Sequence, residues 1–419
     1  MGLSKIKYWG ASTSAHQVEG GNHNQWTVWE LANANELAKT APKRYGWLNN
    51  WEEISKDAQN PNNYVSNLAV DHFHLYEQDL DLAKKLNFNA FRFSVEWSRI
   101  EPEEGKWDES AINYYRNYIN ALKERGLEPF MTLFHFTLPD WFAQKGGFLH
   151  AKNIKYFTRF VEKIMAELKD VIYITTVNEP GVYSFMSYMD GKWPPQERSK
   201  LKTTAVMVNL VSAHKRAYKI IKKSNPNCQI GISKNYSYFY THNNQIEEKV
   251  TANILDYFSN IWFLNRIKKY QDFIGINFYF SNCISGIRRK NPNNKVSDLG
   301  WDMKPQNLYD TLMRLHVKYA KPIFITESGV ADKKDIHRKW WIQQSLKAIN
   351  KAVSEGVEVG SYLHWSFIDN FEWADGFWPK FGLVEVDYKT LERKLRPSAL
   401  WYSDLISKIT SKDKKSGLK

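Results

Sequence analysis

Residues 172–180 have the sequence IYITTVNEP, and residues 322–329 have the sequence PIFITESG. Each segment is a run of apolar and β-branched residues that leads into a glutamate, Glu179 in the first and Glu327 in the second. A strand that is buried on both faces has this kind of run. A carboxylate at the C-terminal end of such a strand lies where an α/β barrel carries its active site. The two segments therefore predict two parallel barrel strands with a carboxylate at the end of each.

Short apolar runs alternate with longer amphipathic ones along the rest of the chain, a pattern that predicts a parallel sheet. Ile112, Tyr115, Ile119 and Leu122 recur at steps of three and four residues, which is the helical period. The predicted strands are residues 8–12, 90–94, 129–134, 172–177, 229–233, 273–277, 323–326 and 360–366. The predicted helices include residues 75–86, 110–125, 154–168, 203–223, 246–263, 308–319 and 337–354.

Eight predicted strands favour a closed (β/α)8 barrel, or TIM barrel, over an open doubly wound sheet. No glycine-rich phosphate loop follows the first strand, which argues against dinucleotide binding. Since no linker or change of composition divides the chain, we expect one catalytic barrel domain over residues 1–410 and a disordered basic tail over residues 411–419. Three long loops, at residues 20–69, 181–202 and 281–306, follow strands and would surround the catalytic end of the barrel.

The composition is that of a globular protein with many aromatic residues. Aromatic residues make up 15% of the 419 residues, and 17 of them are Trp. A Trp-rich core and a carbohydrate site, in which indole rings stack on sugars, are two explanations for this excess, and we expect both to contribute. The formal net charge of +13 could attract nucleic acid. Because the Lys residues are spread over many predicted helix faces, we expect a solvated surface and no nucleic-acid partner.

Cys228 and Cys283 are the two cysteines, and two thiols suit a reducing compartment. No apolar run approaches the roughly 18 residues that a transmembrane helix needs. The first eight residues are too short and polar for a signal peptide. We therefore expect a cytoplasmic protein without a membrane partner, and the sequence leaves its oligomeric state open.

Polar or aromatic side chains lie at or near the ends of seven predicted strands. The C-terminal ends of barrel strands meet at one mouth, so their convergence predicts a single site. Taken singly, each residue also has a structural explanation: Arg92 could form an ion pair, and His135 could be a core histidine. The residues are Gln17, Arg92, His135, Asn178, Glu179, Asn277, Tyr279, Glu327 and Trp365.

Six segments that occur in the same order resemble glycoside hydrolase family 1, the β-glucosidase and β-glycosidase family. Each segment is short, but six of them over nearly the whole chain, at barrel-compatible spacing, are specific. They are SAHQVEG at 14–20, RFSVEWSRI at 92–100, TVNEP at 176–180, NFY at 277–279, ITESG at 325–329 and WSFIDNFEW at 365–373.

The resemblance implies a retaining exo-β-glycosidase that hydrolyses β-D-glucosides, with β-galactosides and β-fucosides as further substrates. Glu179 looks like the general acid/base, and Glu327 looks like the nucleophile that forms a covalent glycosyl-enzyme. Such a double displacement requires two carboxyl groups and no metal or organic cofactor. The substrate would be a small-molecule or oligosaccharide β-glycoside.

The resemblance also implies further roles around the two glutamates. The glycone hydroxyls would be bound by Gln17, His135, Asn178, Glu372 and Trp373. Trp365 matches the platform beneath the sugar, and Trp301 resembles an aglycone-side residue. The nucleophile would be supported by Arg92, Asn277 and Tyr279.

The chain departs from the family pattern at two positions. Ser328 follows the nucleophile where Asn is usual, and Phe136 follows His135 where many members have Trp. The segment at residues 374–381 lacks the pattern of members that act on 6-phosphorylated sugars, which favours an unphosphorylated sugar. Two alternatives stay open from the sequence: a non-catalytic carbohydrate-binding protein on the same fold, and a transglycosidase that passes the glycosyl group to an acceptor other than water.

Overall fold

The computed structural model describes residues 2–292 and 294–416, with the backbone alone for residues 412–416. Eight parallel strands form a closed barrel, in which consecutive strands pair and the last strand pairs with the first. The predicted (β/α)8 barrel is therefore confirmed. Its strands are β1 (Tyr8–Ser12), β2 (Ala90–Ser94), β3 (Glu128–Thr132), β4 (Tyr173–Asn178), β5 (Gln229–Asn235), β6 (Ile274–Phe278), β7 (Ile323–Ser328) and β8 (Val359–Trp365).

Helices connect the strands around the outside of the barrel, and all seven predicted helices are present within a few residues of the expected bounds. The one expected at residues 246–263 is interrupted by a π-helical turn at Tyr257–Ile261. The helices of eight or more residues are Gln25–Tyr45, Trp51–Ala58, His72–Lys85, Glu109–Glu124, Ile154–Glu167, Pro180–Tyr188, Lys200–Ser224, Ile246–Asp256, Leu308–Tyr319, Arg338–Ser354 and Pro397–Ser416. Shorter α-helices are Ala15–Val18, Trp97–Ile100, Asp140–Gln144 and Trp262–Ile267.

The region expected to be a loop at residues 20–69 contains the long helix Gln25–Tyr45. Asn24 begins this helix, because its side chain accepts hydrogen bonds from the backbone N–H groups of Trp26 and Thr27. Much of the buried face further along the helix consists of small residues, Ala34, Ala38 and Ala41. Alanines give only a weak apolar pattern, so helical periodicity did not reveal the helix.

Two further helices lie where the sequence predicted other structure. Helix Pro180–Tyr188 occupies the start of the loop expected at residues 181–202, and Pro180 stands at its first position, where proline is tolerated. At the C-terminus, helix Pro397–Ser416 crosses the boundary expected at residue 410. The part of the predicted tail at residues 417–419 lies outside the described residues.

Aromatic side chains fill part of the barrel interior. Phe130 of β3 stacks on Tyr173 of β4 at 4.5 Å and meets Phe324 of β7 at 5.8 Å between ring centroids. Strands β3 and β7 are not neighbours, so the rings of Phe130 and Phe324 meet across the inside of the barrel. The barrel is thus a packed core whose open end is the mouth formed by the strand C-termini.

The loops that follow β5 and β6 form a small sheet at this mouth. Its strands are Tyr238–Thr241, Ser281–Ser285 and Arg288–Arg289, and a separate hairpin pairs Val384–Val386 with Arg393–Leu395. Within residues 2–292 and 294–416, no helix is both long and apolar enough to cross a membrane.

Candidate active site

The strand ends bring Glu179 and Glu327 to the same mouth. Glu327 lies within β7, and Glu179 directly follows β4 with a left-handed backbone conformation (φ 41°, ψ 59°). The pairing register of each strand shifts just before its glutamate, between Thr175 and Asn178 in β4 and between Ile325 and Glu327 in β7. Such irregularities turn a side chain away from the regular alternation of a strand.

Glu327 is held by a cation and a phenol. Arg92 Nη1 donates a hydrogen bond to Oε1 of Glu327, and the Tyr279 hydroxyl donates to Oε2 at 2.5 Å. The glutamate is buried, with 3% of its surface exposed. Burial raises the pKa of Glu327, while Arg92 and Tyr279 oppose this by stabilising the carboxylate. Glu327 is therefore the carboxyl of the pair that is equipped to carry a negative charge.

Asn277 connects the two glutamates through its amide. Its Nδ2 atom donates to Glu179 Oε1 at 2.8 Å and to Asn178 Oδ1 at 3.2 Å, and Thr326 Oγ1 holds its other end by donating to Oδ1 at 2.7 Å. Asn277 also lowers the pKa of Glu327 by hydrogen bonding. Asn277, which the sequence predicted beside the nucleophile, therefore also donates a hydrogen bond to Glu179.

Glu179 lacks the cationic partner that Glu327 has. It forms no ion pair with a partner in the described part of the chain, and it is buried, with 7% of its surface exposed. Burial, followed by the negative charge of Glu327, raises the pKa of Glu179 to about 8. The two carboxyls are therefore unequal, and Glu179 holds its proton to higher pH.

Aromatic rings and polar groups form one wall of the mouth beside the glutamates. His135 lies with its ring roughly parallel to those of Trp365 (5.9 Å, 23°) and Trp373 (6.1 Å, 18°). Gln17 Nε2 donates to Glu372 Oε2 at 3.3 Å, and burial raises the pKa of Glu372 well above its usual value. Indole faces beside amide and carboxyl groups are suited to a polar ligand that also has an apolar face.

His135 and Asn178 link this wall to the glutamates. Asn178 Nδ2 donates to His135 Nε2 at 3.1 Å, and Asn178 Oδ1 accepts from Arg92 Nη2 at 2.8 Å. Since Nε2 is the acceptor, the proton of the neutral imidazole lies on Nδ1. Nδ1 has no hydrogen-bond partner in the described part of the chain. Burial and the charge of Arg92 hold the pKa of His135 well below its usual value, so His135 offers a neutral N–H donor.

Trp301 lies on the other side of Tyr279. Its ring meets that of Tyr279 edge-on at 5.9 Å and that of Phe381 at 5.9 Å. The mouth therefore brings together all the residues that the sequence nominated for the site.

Lys234 is a charged residue at this mouth that the sequence reading did not select. It is 3% exposed, and its Nζ atom donates to the Asn235 backbone oxygen at 2.5 Å. The predicted strand ended at residue 233, whereas β5 continues to Asn235. A lysine that directly follows the apolar run of a buried strand was the available signal.

The side chains at the two departures from the family pattern have partners other than the two glutamates. The Ser328 hydroxyl accepts a hydrogen bond from Trp341 Nε1 at 3.1 Å, and Phe136 packs against Trp193 and Trp373. No cluster of three or more His, Cys, Asp or Glu side chains that could hold a metal ion occurs among the residues described.

Comparisons with known proteins agree on one family. The sequence matches the model of glycosyl hydrolase family 1 over residues 5–269 and 263–411. Beta-glucosidase A of Acetivibrio thermocellus is 31% identical, over 96% of this chain and 99% of that protein. The structure of a beta-glycosidase from Pyrococcus horikoshii is 34% identical with a TM-score of 0.84, over 96% of this chain and 94% of that one. A beta-glucosidase from Thermotoga maritima, solved with glucoimidazole, is 25% identical with a TM-score of 0.86, over 96% and 98% of the two chains.

Proposed function

Because the chain belongs to glycosyl hydrolase family 1 and is a retaining glycoside hydrolase, we propose that it removes terminal β-D-glucosyl units by double displacement. β-Galactosides and β-fucosides are further proposed substrates. The observation that carries the proposal is the inequality of the two buried carboxyls. Glu327 has Arg92 and Tyr279 as partners, whereas Glu179 has a raised pKa and no cationic partner within hydrogen-bonding reach in the described part of the chain.

The first step uses the two glutamates in opposite protonation states. Glu327 Oε attacks the anomeric carbon as the bond to the leaving oxygen breaks, and Glu179 transfers its proton to that oxygen. Arg92 and Tyr279 keep Glu327 ionised before the attack. The products of this step are a glycosyl ester on Glu327, a free alcohol and a Glu179 carboxylate.

The second step reverses the role of Glu179. Once Glu327 is an ester its negative charge is gone, so the repulsion that disfavoured the Glu179 carboxylate is removed. Glu179 then takes a proton from water as the water oxygen attacks the anomeric carbon. The ester bond breaks, Glu327 regains its charge, and the sugar leaves with its original configuration.

The wall of the mouth supports a sugar as the ligand. The free Nδ1–H of His135 can donate to a hydroxyl, and the Gln17–Glu372 pair can exchange hydrogen bonds with neighbouring hydroxyls. Trp365 supplies an apolar surface for the sugar ring. Glu372 would carry a buried charge or a buried proton beside the ligand, which suits a neutral sugar better than a phosphorylated one.

The proposal is tested with a chromogenic β-glucoside and two variants. We expect Glu327→Ala to lose at least a thousandfold in kcat/KM, because both steps pass through its carboxylate. Glu179→Gln should lose less with a good leaving group that needs no protonation. We expect the wild type to release the β-anomer of the sugar first, as measured by NMR of the products. Undiminished turnover by Glu327→Ala, or initial release of the α-anomer, would contradict the mechanism.

The same assays address the alternatives left open by the sequence. Sugar binding by calorimetry without turnover of any glycoside would indicate a non-catalytic binding protein. Transfer that exceeds hydrolysis at high acceptor concentration would indicate a transglycosidase.

We also propose a cytoplasmic location. Cys228 and Cys283 are both free and buried, as expected of thiols in a reducing compartment. Fractionation of cells that express the protein, with detection by antibody, tests this location. Recovery of the protein from the culture medium would contradict it.

A further inference from the structure

An exposed apolar row lies along the helix that packs against the small sheet at the mouth. Its members are spaced four residues apart, in helix Ile246–Asp256 and in the π-helical turn that continues it. Side chains at this spacing form one ridge on the surface of a helix. Each has more than half of its surface exposed, at 79%, 52%, 52% and 62% in chain order. The apolar row consists of Ile246, Val250, Ile254 and Phe258.

The buried face of the same helix carries carboxylates. Glu248 and Asp256 are both buried, and Asp256 pairs with Arg314 Nη2 at 2.5 Å. A helix on a protein surface usually buries its apolar side chains and exposes its charged ones. Packing within the chain therefore does not account for the apolar row. A contiguous set of exposed apolar side chains marks a surface that contacts another molecule.

A hairpin tip beside this helix carries another exposed apolar residue. Ile287 is 75% exposed and forms, with Gly286, the turn of the antiparallel hairpin in the small sheet. The Gly286 N–H donates to Glu248 Oε1 at 3.2 Å, and the Gln245 N–H donates to Glu248 Oε2 at 3.3 Å. The Glu248 carboxylate thus holds the hairpin turn against the start of the helix, so Ile287 lies near one end of the apolar row.

Basic side chains accompany these apolar residues. Residues 288–290 have the sequence RRK and directly follow Ile287, and Lys249 lies on the helix. All of these basic side chains are exposed, and none forms an ion pair with a partner in the described part of the chain. Within helix Ile246–Asp256, all of which the structure describes, Glu247 is the one exposed acidic residue. Positive charge therefore prevails around the apolar row.

Apolar side chains with basic groups beside them match an anionic lipid surface. The members of the row project from the protein, and a folded partner would need a matching pocket for each of them. The fluid acyl boundary of a bilayer needs no matching shape, and anionic headgroups attract clustered Lys and Arg. A second copy of the chain fits less well, because a two-fold interface on this surface would bring the basic groups of both copies together.

We propose that the apolar row and Ile287 enter the surface of an anionic lipid bilayer, and that Lys249 and residues 288–290 bind its headgroups. The first strand of the hairpin begins at Ser281, two residues after Tyr279, so the contact lies on the side of the catalytic mouth. The sequence predicted no membrane partner because no apolar run is long enough to span a bilayer, but binding at the surface does not need such a run. The proposal does not depend on the proposed function.

The test is sedimentation of the protein with lipid vesicles. One set of vesicles contains phosphatidylserine and phosphatidylcholine in equal amounts, and the other contains phosphatidylcholine alone. At low salt we expect the wild type to pellet with the first set and to stay in solution with the second. Added salt should weaken the binding, because it screens the attraction between the basic side chains and the headgroups.

Two double variants separate the apolar and the charged contributions to binding. Phe258→Ser with Ile287→Ser should weaken binding to the anionic vesicles about tenfold or more, since two apolar side chains no longer enter the lipid. Arg288→Gln with Arg289→Gln should also weaken it about tenfold or more, since two headgroup contacts are lost. The second variant should in addition lose most of the salt dependence.

Leu400→Ser is the matched control, because Leu400 is also an exposed apolar residue, at 50%, but lies in the C-terminal helix. Ser403 of that helix accepts a hydrogen bond from Asn87, which precedes β2 and so lies at the opposite end of the barrel. Leu400→Ser should bind vesicles as the wild type does. The midpoint of thermal unfolding of each variant should equal that of the wild type, which shows that the variants are folded.

Two results would overturn the proposal directly. One is a wild type that stays in solution with the anionic vesicles, and the other is unchanged binding by both double variants. A dimer in analytical ultracentrifugation that Phe258→Ser with Ile287→Ser dissociates would also overturn it, since the apolar row would then face a second copy of the chain.

Discussion

At the scale of single residues, the hydroxyl of Tyr279 sets the acid side of the activity profile. It donates to Glu327 Oε2, and a hydrogen bond to a charged group contributes about 1.5–3 kcal/mol. Tyr279→Phe removes a donor that favours the carboxylate, so the pKa of Glu327 rises. Because Glu327 must be ionised to attack, we expect the acid limb of kcat/KM to move upward by about one pH unit.

The measurement is kcat/KM for a chromogenic β-glucoside between pH 4 and 9. Tyr240→Phe is the control, because the Tyr240 hydroxyl also binds a carboxylate, Asp302, but away from the glutamate pair. Its acid limb should coincide with that of the wild type. An unmoved acid limb in Tyr279→Phe would show that Glu327 does not govern it.

Lys234 affects the alkaline limb of the pH profile of kcat/KM. Gly181 lies two residues after Glu179, and a Cβ atom on Gly181 would lie 3.7 Å from Lys234 Nζ. The positive charge of Lys234 favours the carboxylate form of Glu179. Burial lowers the pKa of Lys234 to about 8, while Glu179 and Asp256 raise it. Lys234→Met should therefore raise the pKa of Glu179. Since Glu179 must be protonated in the first step, the alkaline limb, expected near pH 8, moves to higher pH.

The other charged or titratable groups that act with Glu179 are unchanged in this variant; they are Glu327, Glu372, Arg92 and Tyr279. Lys234→Arg keeps the positive charge, so its alkaline limb should match that of the wild type. If Lys234 had only a structural role, the alkaline limb would not depend on the charge at this position. The measurement is the same pH profile. Coincident alkaline limbs in the Met and Arg variants would refute an electrostatic role for Lys234.

The residue types and their order in the sequence identified most of the site residues. They did not show which of these side chains contact one another. The motif around Glu179 nominated the acid, and the motif around Glu327 nominated the nucleophile. Sequence order does not show that the Asn277 amide reaches Glu179, because this depends on the register shifts in β4 and β7. The burial of Lys234 depended in the same way on where β5 ends.

At the scale of elements, Gly329 is a point where the loop after β7 lies directly against the end of β8. A Cβ atom on Gly329 would lie 1.7 Å from the Trp365 backbone oxygen, so an alanine cannot be accommodated without moving one segment. Glu327 precedes this contact by two residues, and Trp365 is part of it. We expect Gly329→Ala to lower both kcat/KM and the midpoint of thermal unfolding, since overpacking costs about 1–3 kcal/mol or more.

Gly181→Ala is the matched substitution, because a Cβ atom there would meet only Lys234 Nζ, at an ordinary 3.7 Å. Its thermal midpoint should equal or exceed that of the wild type, since alanine favours a helix over glycine. Calorimetric unfolding of the three proteins provides the comparison. A Gly329→Ala midpoint equal to that of the wild type would mean that the loop after β7 can move away from β8 at no cost.

The elements that were predicted have large apolar residues at regular spacing, whereas the long helix Gln25–Tyr45, with alanines on much of its buried face, was not predicted. The eight barrel strands and seven helices have strong apolar patterns, and their bounds differ from the prediction by a few residues. Helix Gln25–Tyr45 escaped prediction because alanines form much of its buried face.

At the scale of the whole molecule, the barrel was predictable because a closed parallel sheet imposes eight similar strands in chain order. The family match agrees with this fold and with the six motifs. The depth of burial at the mouth was not predictable, because it depends on how the long loops pack. The burial of Glu179 and Glu327 together at the mouth has a thermodynamic consequence.

Buried carboxyls with raised pKa values make the folded protein less stable as the pH rises. The pKa of Glu179 rises from an ordinary 4.5 to about 8 on folding, so folding favours its protonated form. This contribution to stability is complete below about pH 4.5 and is lost as the pH approaches 8. Its size is on the order of 5 kcal/mol, since one pKa unit corresponds to about 1.4 kcal/mol.

Glu179→Gln removes this loss, because an amide has no charge to bury. We expect its free energy of unfolding to exceed that of the wild type increasingly between pH 5 and pH 8, by up to several kcal/mol, while its activity falls. Urea denaturation followed by Trp fluorescence at each pH measures the difference. The exposed Glu124 provides a control, and Glu124→Gln should follow the wild-type curve. The expected gain in unfolding free energy at high pH comes from removing a carboxyl that resists ionisation in the folded state. Parallel curves of unfolding free energy against pH for Glu179→Gln and the wild type would therefore show that Glu179 does not destabilise the fold.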